Sequence, residues 1–197
     1  EIKECDWSSD VCSSDLTAAG RGGEGEFLLK VERSLGAGLK LIQVREKAMT
    51  GDELVAFTRQ VVARSRAHGA RVVVNADEQT ARAAGADGIH LASARLMTLS
   101  ARPDVAWCGA SCHNEAELVR ARELQLDFVV LGPVAATPTH PAAELLGWAR
   151  FSELIRNYPL PVYALGGLSV SHLADAWKCG AHGVAVLRDA WSGARYP

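Results

Sequence analysis

The stretch from Pro161 to Arg188 places the tightest constraint on the fold, because it has the pattern of strand, glycine turn, helix and strand. Its two short apolar runs, 161–165 and 183–187, flank a helical pattern that Ser169 or Ser171 can cap. Similar glycine-containing junctions between a helix end and a strand start recur at 36–39, 68–71, 85–88 and 180–183. Repeated βα units of this kind predict an α/β fold whose parallel strands close into a (β/α)8 barrel.

Seven apolar runs have the length and composition of parallel strands that are buried on both faces. These predicted strands are 39–44, 71–74, 87–91, 106–110, 127–131, 161–165 and 183–187. A capping box at Thr50 and Glu53 and a cap at Asn114 indicate two helix starts. The apolar spacing over 27–35 is helical, so a helix precedes the first predicted strand. We therefore expect the first strand of the barrel to be missing and the chain to be a fragment of a longer gene product.

The N-terminal residues do not fit the pattern of the rest of the chain. Residues 1–16 have neither strand nor helix periodicity, and the peptide CDWSSDVCSSDL resembles a translated sequencing-adapter read-through. We expect this segment to be non-native and residues 17–25, which are rich in glycine, to be a flexible linker. The barrel domain is then expected to span residues 26–197.

Composition excludes several classes of function. The 197 residues suit one domain, and a net charge of −2 with a pI near 6.3 leaves no basic stripe for nucleic acid. No apolar run approaches the roughly 18 residues of a membrane span, and no signal peptide opens the chain, so we expect a cytoplasmic protein. The five cysteines lack metal-ligand spacing, and Cys108 and Cys112 are interpreted as buried free thiols.

Polar residues follow the predicted strands at the ends that would form the mouth of the barrel. Alternation places Gln43, Arg45 and Lys47 on one face at the end of the first predicted strand. Asn75 follows the next strand, where it either caps a helix or lines the mouth, and the sequence leaves both open. His90 lies inside a strand, where a hydrogen-bonded core histidine is the preferred interpretation.

The later loops predict a phosphate site. Residues 132–141 form the longest irregular loop, where a barrel carries a lid or substrate contacts. Barrels bind phosphate with the loops after strands 7 and 8, which here contain Gly166, Gly167 and Arg188. Without a Cβ, the two glycines allow their backbone N–H groups to approach an anion closely.

Six motifs, in order along the chain, resemble the thiamine phosphate synthase and thiazole tautomerase (TenI) superfamily over roughly residues 26–191. They are QVREK (43–47), VNA (74–76), ADGIHL (86–91), GAS (109–111), GPVAATPT (132–139) and ALGGL (164–168). Each motif is weak alone, and their shared order is specific. The resemblance implies a TIM barrel that joins a pyrimidine methyl pyrophosphate to a thiazole phosphate in thiamine biosynthesis, a transferase reaction.

The resemblance also implies roles for individual residues. The pyrimidine pyrophosphate would be held by Gln43, Arg45, Lys47, Asn75 and Ser111. The thiazole phosphate would be held by Thr137, Thr139, Gly166 and Gly167. The candidates for a catalytic group are Lys47 and His140, and the implied partner is a small phosphorylated molecule.

This chain departs from the family pattern at the residues that carry catalysis. The resemblance implies Mg²⁺ as a cofactor of the synthase, but Ala76 and Arg95 occupy the positions of its two metal-binding aspartates. The sequence therefore predicts no metal ligand. His140 replaces a lysine, and Pro133 replaces the acid/base histidine of the tautomerase branch.

In detail, the chain is similar to a variant of this family that is fused to the C-terminus of Nudix hydrolases. Those hydrolases resemble 8-oxo-dGTP diphosphatase. Its segments look like HLASARLM, ASCHNEAEL, TPTHP and PVYALGGL in this chain. This resemblance implies a Nudix domain in cis in the full-length protein. Three functions stay open: a thiamine phosphate synthase, a non-catalytic phosphate-binding accessory domain of a Nudix hydrolase, and a thiazole tautomerase-like isomerase.

Overall fold

The computed structural model describes residues 11–13, 23–137, 144–187 and 190. Its eight strands are all parallel and close into one barrel in chain order. The strands are β1 Val11–Ser13, β2 Leu41–Val44, β3 Arg71–Val74, β4 Gly88–Leu91, β5 Trp107–Cys112, β6 Phe128–Leu131, β7 Val162–Leu165 and β8 Gly183–Ala185. The predicted α/β barrel is confirmed, and the seven predicted strands are present as β2 to β8.

The helices lie between the strands in the order that the sequence pattern predicts. They are α1 Gly23–Gly36, α2 Gly51–Ala67, α3 Glu78–Ala84, α4 Ser93–Thr98, α5 Glu115–Glu123, α6 Gly147–Ile155 and α7 Leu173–Lys178. The predicted starts of α2 and α5 are confirmed, because Glu53 closes a capping box with Thr50 and Asn114 accepts a hydrogen bond from the backbone of Glu117. In the described part of the chain, every helix is too short or too polar to span a membrane.

The first position of the barrel differs from the expectation of a missing strand. Residues 11–13, which we expected to lie outside the fold, form β1 and pair with both β2 and β8. Helix α1 likewise begins at Gly23, within the expected linker. The physical reason is that the edges of β2 and β8 present backbone donors and acceptors, which an extended segment can pair with through its main chain.

Two separate apolar clusters account for the buried strands. One face of the sheet packs against the helices, and the other fills the interior of the barrel with side chains from alternating strand positions. The interior cluster contains Leu41, Val73, Trp107, Phe128, Val130, Tyr163 and Ala185. The Phe128 ring lies 6.0 Å from that of Tyr163 and 6.4 Å from that of Trp107. The amino-terminal part of the interior is therefore a packed core, and the polar residues lie beyond it.

Glycine is required where the strands approach the aromatic residues of the interior. A Cβ at Gly88 would lie far inside van der Waals contact with the backbone carbonyl of Trp107. A Cβ at Gly109 would overlap the ring of Phe128, which is itself completely buried. The small residues of β4 and β5 thus make room for the aromatic packing.

We predict that Gly88→Ala lowers the free energy of unfolding by about 3 kcal/mol or more, because the new methyl group meets immovable backbone. Gly51→Ala is the matched control, since this glycine opens α2 and a Cβ there meets nothing within 4 Å. It should be neutral or stabilise the protein by up to about 1 kcal/mol. Urea denaturation followed by circular dichroism measures both. Equal stability of the two variants would contradict the described packing of the interior.

Candidate functional site

The carboxyl end of β2 brings two of the predicted site residues toward the interior. Gln43 pairs in register with Val73, which belongs to the interior cluster, so Gln43 lies on the inner face of the sheet. Arg45 follows two positions later, and both side chains are half-buried. Lys47 is exposed beyond the strand end. The structure therefore places Gln43 and Arg45 at the mouth and Lys47 at its solvent-facing rim.

A buried histidine and serine form a hydrogen-bonded pair across neighbouring strands. The Nε2 atom of His90 on β4 lies 2.9 Å from the Oγ atom of Ser111 on β5. His90 is 2% exposed, and its ring lies 5.8 Å from that of Phe128. Its Nδ1 atom is buried without a hydrogen-bond partner among the described residues. The expectation of a buried, hydrogen-bonded His90 is confirmed, and its partner is a residue of the predicted site.

His90 is held in its neutral form. Burial of the ring, with a smaller contribution from the Arg45 guanidinium, lowers the pKa of His90 from 6.5 to about 3. At neutral pH the imidazole therefore orients the Ser111 hydroxyl and leaves the positive charge of this region to Arg45.

The position of Asn75 is now decided between the two alternatives that the sequence left open. Helix α3 is capped by Asp77, whose Oδ1 atom accepts a hydrogen bond of 2.7 Å from the backbone N–H of Thr80. Asn75 lies two residues before that cap and is half-buried, and its backbone N–H donates to the carbonyl of Val44 at 2.8 Å. Asn75 is thus part of the rim of the mouth and does not cap α3.

The loop after β6 packs directly against the two glycines that follow β7. The Val134 N–H donates to the carbonyl of Leu165 at 2.7 Å, and the Ala135 N–H donates to that of Gly166 at 3.1 Å. Gly166 and Gly167 have φ angles of +104° and +62°, in the region that favours glycine. These two loops form one continuous wall of the mouth.

Close packing between the loops supplies a reason for the glycines that the sequence did not reveal. A Cβ at Gly166 would collide with Pro133, and a Cβ at Gly167 would collide with the backbone of Ala136. Ligand approach is therefore not needed to explain why both residues are glycine. Thr137 is half-buried where this loop continues, while Thr139, His140 and Arg188 lie outside the described residues.

The residues at the implied magnesium positions do not fit that ion. Ala76 has no side-chain donor, and Asp77 is occupied as the cap of α3. Hydrogen bonds from Thr80, with a smaller contribution from the charge of Arg95, lower the pKa of Asp77. Mg²⁺ requires several oxygen ligands in near-octahedral geometry, and Arg95 offers only positively charged donors. Within residues 23–137 and 144–187, no three His, Cys, Asp or Glu side chains form a group that could hold a metal ion.

The two cysteines of β5 lie next to this region. Cys108 and Cys112 are buried free thiols, as predicted. Burial is the main cause that raises the pKa of each thiol to about 12. Neither residue supplies a thiolate for nucleophilic attack or for metal binding at neutral pH.

Residues 16–190 match the model of the family described as "Thiamine monophosphate synthase". The chain belongs to the thiamine monophosphate synthase family. It is 34% identical to the thiamine-phosphate synthase of Thiobacillus denitrificans, with 82% of this chain and 78% of that protein covered. Identity to the thiamine-phosphate synthase of Thermus thermophilus is 31%, with 81% of this chain and 78% of that protein covered.

A solved structure titled as the thiamine phosphate pyrophosphorylase of Pyrococcus furiosus has the same fold. It superposes with a TM-score of 0.76 at 20% identity, with 95% of this chain and 92% of that chain covered. An N-acetylmannosamine-6-phosphate 2-epimerase from Clostridium perfringens superposes with a TM-score of 0.64 at 12% identity, over 94% of this chain and 89% of that chain. These two structures support the barrel architecture alone.

The buried neutral His90 predicts a specific dependence of stability on pH. The unfolded chain binds a proton at His90 near pH 6.5, whereas the folded chain does so only near pH 3. Protonation therefore favours the unfolded state, and this residue lowers the free energy of unfolding as the pH falls through that window. Between about pH 7.5 and about pH 5, the expected loss is about 2 kcal/mol.

Urea denaturation of wild type and His90→Gln at both pH values measures this contribution. The loss on acidification should be smaller in the variant by about 2 kcal/mol, because glutamine does not titrate in this range. Burial also lowers the pKa of His182, but that contribution is present in both proteins and cancels in the comparison. An identical loss in the two proteins would show that the His90 ring is solvated or charged in the folded state.

Proposed function

We propose that this barrel binds phosphorylated substrates of thiamine phosphate synthesis at its carboxyl mouth. The observation that carries the proposal is the buried His90–Ser111 pair, which lies at the same end of the barrel as the half-buried Arg45, at the carboxyl ends of β4, β5 and β2. In (β/α)8 barrels this end carries the ligand site. Membership of the thiamine monophosphate synthase family supports a small phosphorylated molecule as the ligand.

The proposed assignment of groups follows the two sides of the mouth. On one side, Gln43, Arg45, Asn75 and Ser111 would bind the pyrimidine methyl pyrophosphate. On the other side, the loop to Thr139 and the Gly166–Gly167 turn would bind the thiazole phosphate. Lys47 and His140 stay candidates for a further contact with the ligand. Arg188 stays a candidate for a phosphate contact from the loop after β8.

In this proposal, catalysis is stabilisation of charge on the leaving group. The carbon–oxygen bond of the pyrimidine substrate breaks and its electron pair leaves with pyrophosphate, so that a pyrimidine cation remains. The thiazole nitrogen then supplies the electron pair of the new carbon–nitrogen bond. Arg45 would stabilise the departing pyrophosphate, and the Ser111 hydroxyl, oriented by neutral His90, would donate a hydrogen bond to it. Because Arg45 is half-buried, its attraction to pyrophosphate is stronger than the same attraction would be in water.

A second candidate function is ligand binding without turnover, as in an accessory domain of a Nudix hydrolase. It is favoured by Ala76, Asp77 and Arg95, because these residues do not supply the set of oxygen ligands that Mg²⁺, the implied synthase cofactor, requires. A Nudix domain in cis stays a prediction. The thiazole tautomerase alternative has less support, because Pro133 supplies no proton-transferring side chain.

Two measurements on the full chain separate these candidates. Isothermal titration with the thiazole phosphate measures binding, and chromatographic detection of thiamine phosphate, with both substrates present, measures turnover. Binding with turnover supports the synthase, and binding without turnover supports the accessory domain. Absence of binding by the folded protein would contradict both candidates.

We predict that Arg45→Ala and Ser111→Ala each weaken binding of the pyrimidine pyrophosphate by about 10- to 100-fold, the effect of losing one hydrogen bond to a charged group. Arg150→Ala is the control, since Arg150 lies on α6, is exposed, and pairs with Glu153 at 2.7 Å. It should leave binding unchanged. Equal affinities of all three variants would place the ligand elsewhere on the molecule.

A further inference from the structure

The described residues around the ends of β3 and β4 include an arginine and form no metal-binding group. At the end of β3, Ala76 carries no donor, and the Asp77 carboxylate points its Oδ1 atom at the backbone N–H of Thr80. The first turn of α4, which follows β4, contributes the exposed side chain of Arg95. The region therefore offers a guanidinium where the family pattern has a carboxylate.

Arg95 lies at the same end of the barrel as Asn75, because β4 pairs in parallel with β3 and α4 follows β4. Its guanidinium contributes to the lowered pKa of Asp77, after the larger effect of the hydrogen bonds from Thr80. Asp77 lies only two residues from Asn75 on the rim. The positive charge of Arg95 is thus on the helix that follows the strand next to β3.

Arg45 supplies a second fixed charge to the same mouth. Arg45 follows the inward-facing Gln43 by two positions at the carboxyl end of β2 and is half-buried, so its charge lies at the mouth. Arginine is permanently charged, and its planar fork of donors matches the oxygens of a phosphate group in a bidentate arrangement. Arg45 follows β2 and Arg95 lies on the helix after β4, so the two arginines flank the carboxyl end of β3 and can contact one pyrophosphate group from two sides.

We propose that this barrel binds the pyrophosphate group of its ligand with the fixed charges of Arg45 and Arg95, without a bound divalent cation. The proposal rests on the proposed ligand site at the mouth and specifies how that site neutralises its ligand. The guanidinium of Arg95 takes the place of the metal charge. Loss of the carboxylate at 76 removes the negative charge that a cation would have needed, so the two departures from the family pattern compensate each other.

Titration of the full chain with inorganic pyrophosphate tests the proposal directly. Calorimetry in EDTA is compared with calorimetry in excess Mg²⁺, and free pyrophosphate is corrected for its magnesium complex. The expected result is a dissociation constant that agrees within about twofold between the two conditions, because no cation is part of the site. Binding that requires Mg²⁺ would overturn the proposal.

Two variants separate the contribution of Arg95 to pyrophosphate binding from the contribution of the net charge of the protein. In EDTA, Arg95→Ala should weaken pyrophosphate binding by about tenfold. The matched control is Arg82→Ala on α3, which removes an exposed arginine that pairs with Asp104 at 2.8 Å. It should bind pyrophosphate as wild type does. Equal affinities of wild type and Arg95→Ala would overturn the proposal.

A reverse exchange gives a readout that does not depend on activity. The double substitution Ala76→Asp with Arg95→Asp supplies two carboxylates and removes the guanidinium, so pyrophosphate binding should become weak in EDTA and recover in Mg²⁺. Circular dichroism verifies folding, and both positions are at least partly exposed. A double variant that still binds equally well in EDTA would contradict the proposal.

The proposal and the proposed function fail in different ways. If Arg45→Ala loses binding and Arg95→Ala does not, the ligand site at the mouth stands and the replacement of the metal by Arg95 is wrong. If the folded wild-type chain binds pyrophosphate in neither condition, both are contradicted.

Discussion

Packing of the aromatic rings inside the barrel is the constraint on which the rest of the structure depends. Trp107, Phe128 and Tyr163 fill the interior from three successive strands, and the space that they need is left by Gly88 and Gly109. This packing fixes the register in which β4 lies beside β5. His90 and Ser111 then follow as the next inward-facing residues toward the mouth, at hydrogen-bonding distance. The site is positioned by the core beneath it.

The pattern of apolar residues along the sequence was enough to predict most of the fold. The strands β2 to β8 agree with the predicted runs to within two residues at each end, because parallel strands buried on both faces require continuous apolar segments. The first strand could not be predicted in this way. Val11–Ser13 joins the barrel through main-chain pairing with β2 and β8, and such pairing has little dependence on side-chain identity.

The site was predicted less completely, since its chemistry depends on contacts between residues far apart in the sequence. Alternation along one strand was sufficient for Gln43 and Arg45. It did not reveal that His90 faces Ser111, which requires the register of β4 against β5. Gly166 shows the opposite case, where a residue with an expected role in binding is also required by contact with Pro133. Family membership and site chemistry are therefore separate questions for this chain: the match to the family model establishes the first, and the side chains of Ala76 and Arg95 bear on the second.

The proposed site for a phosphorylated ligand lies at the carboxyl mouth, beside the wall that the loop after β6 and the Gly166–Gly167 turn form together. Amide chemical-shift mapping by NMR during titration of the full chain with the thiazole phosphate tests it most directly. The largest shifts are expected at Gly166 and Gly167, with little change at the opposite end of the barrel around Asp104. Shifts concentrated at Asp104, or an absence of saturable shifts at the two glycines, would contradict it.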